Sequence, residues 1–421
     1  MADSLNVDEL IRAIPDMSIR DCVNSLGKSA TSEKAQIALC SALASVTYGN
    51  PTARREASLY GGLEAIVESM RVHKSSAGLQ AKASEVLANL TCEEAAVQGK
   101  AGPLGAIDLL AIAMKKYRRD DLVQEAACGA LRRLVEHHED NQQLACDAGV
   151  VELLAAALRK HQQSEAVAIA ACTAAQELFF RHRPSQDRAV GAQSVDAILA
   201  VMETHKECDY LQDVACGALQ CLVHAHDENR MTAASLGALE LAVETMDRCA
   251  DNPYVQENAA ALLWNTVQDS PELRERANAA GAVGALERAL KAFNMTDRGW
   301  QKGAAVIEGV TDNVNGALAA LGTQEVPLAA RSSVQAERAV EIAQAAVEAV
   351  RRDWTDRVSK ARARNDGQAV RSFVTISAGA LRTPSLARPA ASGLPIATAA
   401  PRAASIAAPR LALGALRKLA R

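Results

Sequence analysis

Aromatic residues are scarce in this 421-residue chain: Phe, Tyr and Trp make up 3% of it, whereas apolar residues together reach 49%. A large core built on stacked aromatic rings is therefore excluded. Small apolar side chains in this proportion favour closely packed helices, because alanine is the strongest helix former and adds little bulk.

Targeting signals and paired cysteines are also lacking. The ten cysteines form no CxxC pair, and the acidic start MADSLNVDELIRAIPD has no basic region followed by an apolar stretch, so we expect no secretory signal. The longest charge-free run, residues 35–53, is too polar to span a bilayer. These features predict free thiols and a cytoplasmic location, with the nucleus as the alternative.

Catalytic motifs are missing as well. The patterns GxSxG, HExxH and DxDxDG do not occur. Gly27-Lys28-Ser29 resembles the end of a phosphate-binding loop, but Cys22 stands where that loop needs a glycine. We therefore expect a protein that is not an enzyme, with no catalytic residues and no cofactor.

Charge is distributed unevenly behind a net value of −4. Residues 366–421 contain eight Lys or Arg and one acid, which gives +7, and residues 1–365 contain 38 basic and 49 acidic groups, which gives −11. The tail is rich in Ala, Pro, Ser and Arg, a composition that predicts disorder.

What the chain does contain is a repeat of 44 residues. Seven similar segments follow one another at this spacing: 40–47, 84–91, 128–135, 172–179, 216–223, 260–267 and 304–311. A second apolar column, also 44 residues apart, contains Leu63, Ile107, Val151, Val195, Leu239 and Val283, and apolar residues recur three and seven positions after it. Such offsets indicate one face of an amphipathic helix. A unit of two substantial helices and a shorter one cannot bury its apolar stripe alone, so the period predicts an α-solenoid.

Glycines and glutamines also recur at this spacing. Gly61, Gly105, Gly149, Gly237 and Gly281 precede the second column by two residues, where we expect a turn before a helix. Another column opens the helix of the first set and contains Gln36, Gln80, Gln124, Gln212 and Gln256.

Cysteine and histidine columns account for most of the candidate metal ligands. Cys216 shares its column with Cys40, Cys128 and Cys172, as a small buried hydrophobe would. Two histidine columns, His138/His182/His226 and His73/His161/His205, are both predicted near helix C-termini, where an imidazole favours the helix dipole. Although Cys216, Cys221, His224 and His226 cluster in sequence, their spacing matches no structural zinc pattern, so we expect no metal site.

The repeat resembles that of the armadillo family. The unit VQEAACGALRRLVEHHEDNQQLACDAGVVELLAAALRKH at 123–161, and its counterpart at 255–293, are similar to the family's xQxxAxxALxNL helix followed by N…xxxGxxxxLvxLL. The likeness covers residues 15–320; HEAT repeats are the near alternative, and the recurrent glycine favours armadillo. It implies an all-α, right-handed α-α superhelix, an armadillo-type solenoid, with a disordered C-terminal tail. We assign residues 1–322 to six or seven repeats, 323–365 to a helical cap or extension, and 366–421 to the tail.

The resemblance also implies a binding groove. In armadillo proteins the third helix lines the concave groove, and the asparagine of ALxNL holds an extended peptide backbone. The matching column here is Ser45, Asn89, Arg133, Glu177, Cys221, Asn265 and Gly309, of which Asn89 and Asn265 match the family residue. Importin-α-like members place Trp four residues before that asparagine, where this chain has Glu85 and Ala261, so their full pattern is absent. For Trp264, packing between layers competes evenly with a groove role.

The resemblance therefore favours a scaffold or adaptor that binds a protein or peptide partner in the groove. Our candidate partner-binding residues are Asn89, Arg133, Glu177, His224, Trp264, Asn265 and Gln268. We expect no transmembrane segment and no specific nucleic-acid partner. The alternatives are a regulatory subunit tethered to acidic membrane or nucleic acid through the basic tail, and an autoinhibitory module for an enzyme supplied in trans.

Residues 332–361 are predicted to form a helix that is suited to capping the array. Its apolar stripe contains Val340, Ala343, Val347, Val350, Trp354 and Val358.

Overall fold

The computed structural model describes residues 7–293 and 304–322, and in these residues the regular secondary structure is helical throughout. The chain opens with α1 (Val7–Ala13) and α2 (Ile19–Lys28). A triplet of helices then recurs, and we call its members the short, middle and long helix of each repeat. The predicted cap at 323–365 and the predicted tail at 366–421 lie outside the described residues.

The long helices contain the first set of repeated segments predicted from the sequence. They are α3 (Glu33–Thr47), α6 (Ala77–Thr91), α9 (Asp121–Val135), α12 (Glu165–Phe179), α15 (Asp209–Val223), α18 (Pro253–Val267) and α21 (Ala304–Ala320). From α3 to α18 each begins 44 residues after the one before.

Two helices separate each long helix from the next. The short helices are α4 (Pro51–Leu59), α7 (Ala95–Ala101), α10 (Glu139–Asp147), α13 (Arg183–Gly191), α16 (Asp227–Ser235) and α19 (Pro271–Ala279). The middle helices are α5 (Gly62–Val72), α8 (Ala106–Lys116), α11 (Val150–Lys160), α14 (Ser194–Thr204), α17 (Ala238–Arg248) and α20 (Ala282–Ala292).

The predicted glycine turn lies between the short and the middle helix. Gly61, Gly105, Gly149, Gly237 and Gly281 precede their middle helices with φ between 78° and 91°. This left-handed region suits glycine because a β-carbon is strained there. Gln193 adopts it with φ 56° in the repeat that lacks the glycine.

Polar residues begin the long helices. Side chains of Ser32, Ser76, Asp120 and Asn252 accept a hydrogen bond from a backbone N–H in the first turn of their long helix. Each satisfies a donor that the helix itself leaves without a partner.

One histidine column has a different place from the one predicted. His138, His182 and His226 immediately precede the short helices α10, α13 and α16, at the position where Asn50 precedes α4. The Nδ1 atoms of His138 and His226 accept from the backbone N–H three residues later, at 3.3 Å in both cases. The prediction of helix C-termini was wrong for this column, because all three residues stand at the N-cap position of a short helix. His138 and His226 act as N-cap acceptors, whereas Nδ1 of His182 contacts Oγ of Ser185 at 2.8 Å.

The other histidine column lies at helix C-termini, as predicted. His73, His161 and His205 follow the last residues of α5, α11 and α14. Their Nε2 atoms contact the carbonyls of Ala30, Arg118 and Gln162 in the preceding repeat, at 2.6, 2.9 and 2.8 Å. This column therefore links neighbouring repeats.

The core is built from small and branched apolar side chains. Cys40, Cys128, Cys172 and Cys216 are fully buried, which confirms them as core positions. Burial raises the pKa of the Cys40 and Cys172 thiols to about 12, so both stay protonated at neutral pH.

The chain forms two compact units, and the boundary between them lies between Leu236 and Gly237. This boundary falls inside the array predicted over 1–322. In the first unit, the long helices α3, α6, α9, α12 and α15 pack side by side in chain order. In the second unit, α18 packs against α21 and against the middle helix α17.

Candidate partner-binding face

Three positions on each long helix of the first unit, spaced i, i+3 and i+7, lie on one side of the helix. They define what we call the long-helix face. Its members are Ala38, Ser41 and Ser45 on α3; Lys82, Glu85 and Asn89 on α6; Ala126, Gly129 and Arg133 on α9; Ala170, Thr173 and Glu177 on α12; and Val214, Gly217 and Cys221 on α15. Three of the seven predicted site residues belong to it.

Asn89 uses its amide group within the fold. Its Nδ2 donates to the carbonyl oxygen of Ala44 at 2.9 Å and to Oγ1 of Thr47 at 3.1 Å, both on α3. The last carbonyls of a helix need donors from outside, and this amide supplies one. The side-chain oxygen of Asn89 accepts no hydrogen bond within the described residues.

Arg133 lies half-buried at the end of α9. Its Nη1 donates to Oε2 of Glu136 at 3.0 Å, and 13% of its side chain is exposed. Burial acts to lower the pKa of Arg133. The negative groups around it, Glu136 among them, outweigh this effect, so its pKa is raised above the usual value. The guanidinium is therefore held in an ion pair.

Glu177 is buried at the end of α12, and its backbone is held by the short helix α10. Nε2 of Gln142 donates to the carbonyl oxygens of Glu177 and Phe180, at 2.7 and 3.1 Å. Gln98 makes the same pair of bonds to Arg133 and Glu136, at 2.5 and 3.0 Å. Amides on the short helices thus fix the backbone of the site column.

His224 and Gln268 lie one residue beyond α15 and α18. Each is the C-terminal cap of its helix, with ψ of 117° and 131°, and each is half-buried. The chain turns out of the long helix at both residues.

Trp264 packs against the next long helix. A β-carbon at Gly316 would lie 2.6 Å from Cε3 of Trp264, so the ring rests on the backbone of α21 where only glycine fits. This contact fits packing between layers, one of the two roles expected for Trp264. Asn265, beside it on α18, is half-buried.

An ion pair lies next to Asn89 on α6. Nζ of Lys82 contacts Oε1 and Oε2 of Glu85, at 2.8 and 2.9 Å. The two side chains are 36% and 43% exposed. Together with Asn89 they give this helix a charged, solvent-accessible stretch of the face.

Exposure of the long-helix face falls along the first unit. At the last of its three positions, Ser45 is exposed, Asn89 and Arg133 are half-buried, and Glu177 and Cys221 are buried. The last of the three positions is therefore more exposed on α3, α6 and α9 than on α12 and α15.

The amides of the short helices were missed by sequence reasoning. Gln98, Gln142 and Gln186 are 44 residues apart, so the period contained a signal. Gln98 and Gln142 donate to carbonyls 35 and 38 residues later, at the end of the next long helix. Gln186 donates to Cys221, 35 residues later, and to Phe179, seven residues earlier. The glutamine column that was noticed has a matching role, because Gln80 and Gln124 donate to the carbonyls of Met70 and Met114 at the ends of middle helices, at 3.0 and 3.1 Å.

Within residues 7–293 and 304–322, no group of three or more His, Cys, Asp or Glu side chains could hold a metal ion. Among the described helices, none has the length and apolar character needed to cross a membrane.

Solved structures with similar folds are repeat proteins. One engineered protein matches with a TM-score of 0.61 and 22% identity over 75% of this chain and 71% of its own. A designed armadillo repeat protein matches with a TM-score of 0.52 and 20% identity, over 62% of this chain and 99% of its own. Another, in complex with the peptide (KR)4, matches with a TM-score of 0.51 and 18% identity over the same shares. The chain thus has an all-α, armadillo-type repeat fold.

No protein-family model matches the sequence, and no curated protein matches it.

Proposed function

We propose that the chain is a non-enzymatic scaffold or adaptor that binds an extended segment of a partner protein along the more exposed part of its long-helix face. The observation that carries this proposal is the solvent-accessible stretch of Lys82, Glu85 and Asn89 on α6, beside the uncrowded backbone of Gly129 on α9. A peptide backbone needs both donors and acceptors, and this stretch contains both.

The space around Gly129 supports an extended ligand. A β-carbon placed there would meet no atom within 4 Å, and the residue is half-buried. An open backbone position lets a ligand approach the helix closely. On α15, by contrast, a β-carbon at Gly217 would lie 2.7 Å from Nε2 of Gln176.

The similar fold of the designed armadillo protein that was solved with the peptide (KR)4 is consistent with a peptide ligand. The mixed charge of Lys82 and Glu85 does not favour a purely basic ligand here. Of the seven candidate residues, we propose Asn89 as the one that contacts the partner directly, with its side-chain oxygen as acceptor. We retain one array over residues 1–322 and a cytoplasmic setting as parts of this proposal.

A peptide-display selection against the full chain tests the proposal. Selected peptides should lose affinity about two- to tenfold with Asn89→Leu, which removes one hydrogen-bond acceptor. They should change affinity about threefold with Glu85→Lys, which reverses an exposed charge.

A matched control lies on the middle helix α5, where Arg71 and Glu68 form an ion pair of the same i, i+3 kind, with 48% and 55% exposure. Glu68→Lys should leave peptide affinity unchanged. Equal effects of Glu68→Lys and Glu85→Lys, or peptides indifferent to Asn89→Leu, would contradict the proposal.

A further inference from the structure

We infer that three neighbouring connections of the first unit form a basic edge, which binds an acidic, extended segment of a protein. The connections are residues 71–77, 115–121 and 159–165, and each leads from the end of a middle helix to the start of a long helix. None of them contains a residue of the long-helix face. The inference therefore goes beyond the partner site proposed around Asn89 and does not depend on it.

Five exposed cations define the basic edge. They are Lys74, Lys116, Arg118, Arg119 and Lys160. One further cation in each connection donates to a backbone carbonyl 33 residues later and is not counted in the edge; these three are Arg71, Lys115 and Arg159.

Positive charge is concentrated in these three connections. They carry net charges of +2, +2 and +1, whereas the equivalent connections 27–33 and 203–209 carry 0 and −2. Residues 1–365 as a whole carry −11. The repeat itself therefore does not require cations at this place, and the positive charge is particular to three successive repeats.

Stabilisation of helix ends accounts for only part of this charge. Lys116 and Lys160 are the last residues of α8 and α11, where a cation interacts favourably with the helix dipole. Lys74, Arg118 and Arg119 lie beyond the last residues of their middle helices. Because the dipole effect is confined to the last turn, it gives no reason for these three cations.

The five cations have no acidic partner in the part of the chain that the structure describes, where none of them forms an ion pair. The two acids between α8 and α9 already have partners of their own. Oδ1 of Asp120 accepts from the backbone N–H of Val123 at 3.2 Å, and Oδ1 of Asp121 contacts Nδ1 of His161 at 2.7 Å. The charge of the basic edge is therefore available to an acidic ligand.

Side-chain contacts join the three connections to one another. The hydroxyl of Tyr117 donates to the carbonyl oxygen of Lys74 at 3.0 Å. Nε2 of His161 contacts the carbonyl oxygen of Arg118 at 2.9 Å. The cations of the basic edge thus form one row across three repeats, and a single ligand can contact all of them.

The spacing of this row fits an extended protein segment. The middle helices α5, α8 and α11 pack in chain order, and packed helices lie about 10 Å apart. An extended chain advances about 3.3 Å per residue, so successive connections face about every third residue of such a segment. Carboxylates at this spacing would meet the cations of one connection after another.

Neighbouring residues also favour a protein segment over a nucleic acid. Leu122 follows the second connection directly and is 60% exposed, so it offers an apolar contact close to Arg118 and Arg119. Single-stranded nucleic acids bind by stacking their bases on aromatic rings. Tyr117 is the one Phe, Tyr or Trp in these connections, and it is half-buried with its hydroxyl bonded to Lys74.

A synthetic acidic peptide tests the inference. The probe is a fluorescently labelled twelve-residue peptide that repeats Glu-Glu-Ser four times, and its control has Gln in place of every Glu. Binding to the native full chain is measured by fluorescence anisotropy at low ionic strength. We expect the Glu peptide to bind and the Gln peptide not to bind. Added salt should weaken binding about fivefold or more, because it screens exposed charges.

Two double variants change the net charge of the chain equally. Lys74→Glu with Arg119→Glu, on the basic edge, should weaken binding about tenfold, because two attractions become repulsions. The matched control, Arg55→Glu with Lys100→Glu, alters exposed cations of the short helices α4 and α7. It should change affinity by less than about twofold, since only screened, long-range interactions are altered.

Cross-linking locates the bound peptide. A carbodiimide joins carboxylates of the probe to nearby lysine amines, and mass spectrometry identifies the linked residues. We expect links at Lys74, Lys116 and Lys160 ahead of Lys100, which is equally exposed but lies on α7.

The inference is overturned if the edge variant binds the Glu peptide as tightly as the native chain, since the basic tail or another surface would then hold it. Equal losses in the edge and control variants, or linkage of Lys100 as readily as Lys74, would overturn it too. Anionic lipid vesicles and a single-stranded oligonucleotide are titrated in parallel. Binding of either that is tighter than that of the Glu peptide, and is lost in the edge variant, would assign the edge to that partner instead.

A milder variant covers the case in which the edge variant does not fold, as judged by circular dichroism. Lys74→Gln with Arg119→Gln removes the two charges without reversing them and should weaken binding about threefold. Unchanged affinity in this folded variant would contradict the inference.

Discussion

The side-chain amide of Gln142 on α10 donates to the carbonyl oxygen of Glu177 at 2.7 Å, 35 residues later in the chain. The same nitrogen also donates to the carbonyl of Phe180 at 3.1 Å. One buried amide of a short helix therefore satisfies two carbonyls at the end of the long helix that follows it in the chain.

Replacing this amide should be costly. Gln142→Leu removes the donor for two backbone carbonyls, and a buried acceptor without a partner costs about 1–3 kcal/mol. We expect the free energy of unfolding, measured by urea denaturation, to fall by about 2 kcal/mol. The neighbouring exposed residue provides the control: Gln143→Leu should change it by less than about 0.5 kcal/mol. Similar losses in both variants would argue against the role given to Gln142.

Ala225 marks a site where the chain can be stabilised. It follows α15 with φ 54°, in the left-handed region, at the position where Gly49 follows α3 with φ 62°. Because a β-carbon costs about 1–2 kcal/mol there, Ala225→Gly should raise the free energy of unfolding by about 1 kcal/mol, after the entropy of glycine is included. Gly49→Ala should lower it by a similar amount. A loss of stability in Ala225→Gly would show that strain at this position is absent.

Trp264 and Gly316 form a contact that a single methyl group should disrupt. Gly316→Ala puts a β-carbon 2.6 Å from the indole ring, and overpacking of this kind costs about 1–3 kcal/mol. A β-carbon at Gly129 would meet no atom within 4 Å. Gly129→Ala should therefore stabilise the folded chain by up to about 1 kcal/mol, because alanine has the higher helix propensity. Thermal unfolding of both variants measures the contrast, and combining Gly316→Ala with Trp264→Leu should recover part of the loss. Equal behaviour of the two alanine variants would refute the contact.

His182 should make stability depend on pH. Burial lowers its pKa below the usual value near 6.5, and Glu139 and Asp147 offset this in part. The folded chain therefore binds this proton at lower pH than the unfolded chain. The stabilisation from the neutral imidazole is complete above about pH 6.5 and is lost as the pH falls through the folded-state value.

The variant His182→Asn tests this dependence, since Asn50 precedes α4 at the equivalent position and caps it without titrating in this range. Unfolding free energies of the two proteins should be close at about pH 8, and the original chain should lose more stability towards about pH 5. Parallel pH profiles would exclude His182 as the titrating group.

Much of the fold could be predicted from the period. The columns of Leu63 and Cys40 located the middle and long helices, because burial of the same face in every repeat leaves the same spacing in the sequence. Gly61 and its equivalents located the turn between short and middle helices, since few residues other than glycine accept that backbone conformation.

The burial and hydrogen bonding of the site residues were less predictable, because both depend on which other residues pack against each side chain. The sequence predicts Asn89, Arg133 and Glu177 as members of one column, and in the structure they stand at equivalent positions of α6, α9 and α12, which pack in chain order. The sequence did not predict that the side-chain amide of Asn89 donates to the carbonyl of Ala44. Nor did it predict that Glu177 is buried while Asn89 is half-buried. The N-cap role of His138 was also missed, because a histidine between two helices can serve the end of one or the start of the next.

The bonds of Gln98 and Gln142 have a consequence for folding speed. They join residues 35 to 38 positions apart, and the histidine contacts between repeats join residues 43 positions apart. Contacts between neighbouring repeats thus require closing a loop no longer than about one repeat, however many repeats the chain contains. Loop-closure entropy rises with the length of chain enclosed, and folding slows as contacting residues become more distant in sequence. Adding a repeat to the first unit should therefore leave the entropic barrier to forming its next interface unchanged.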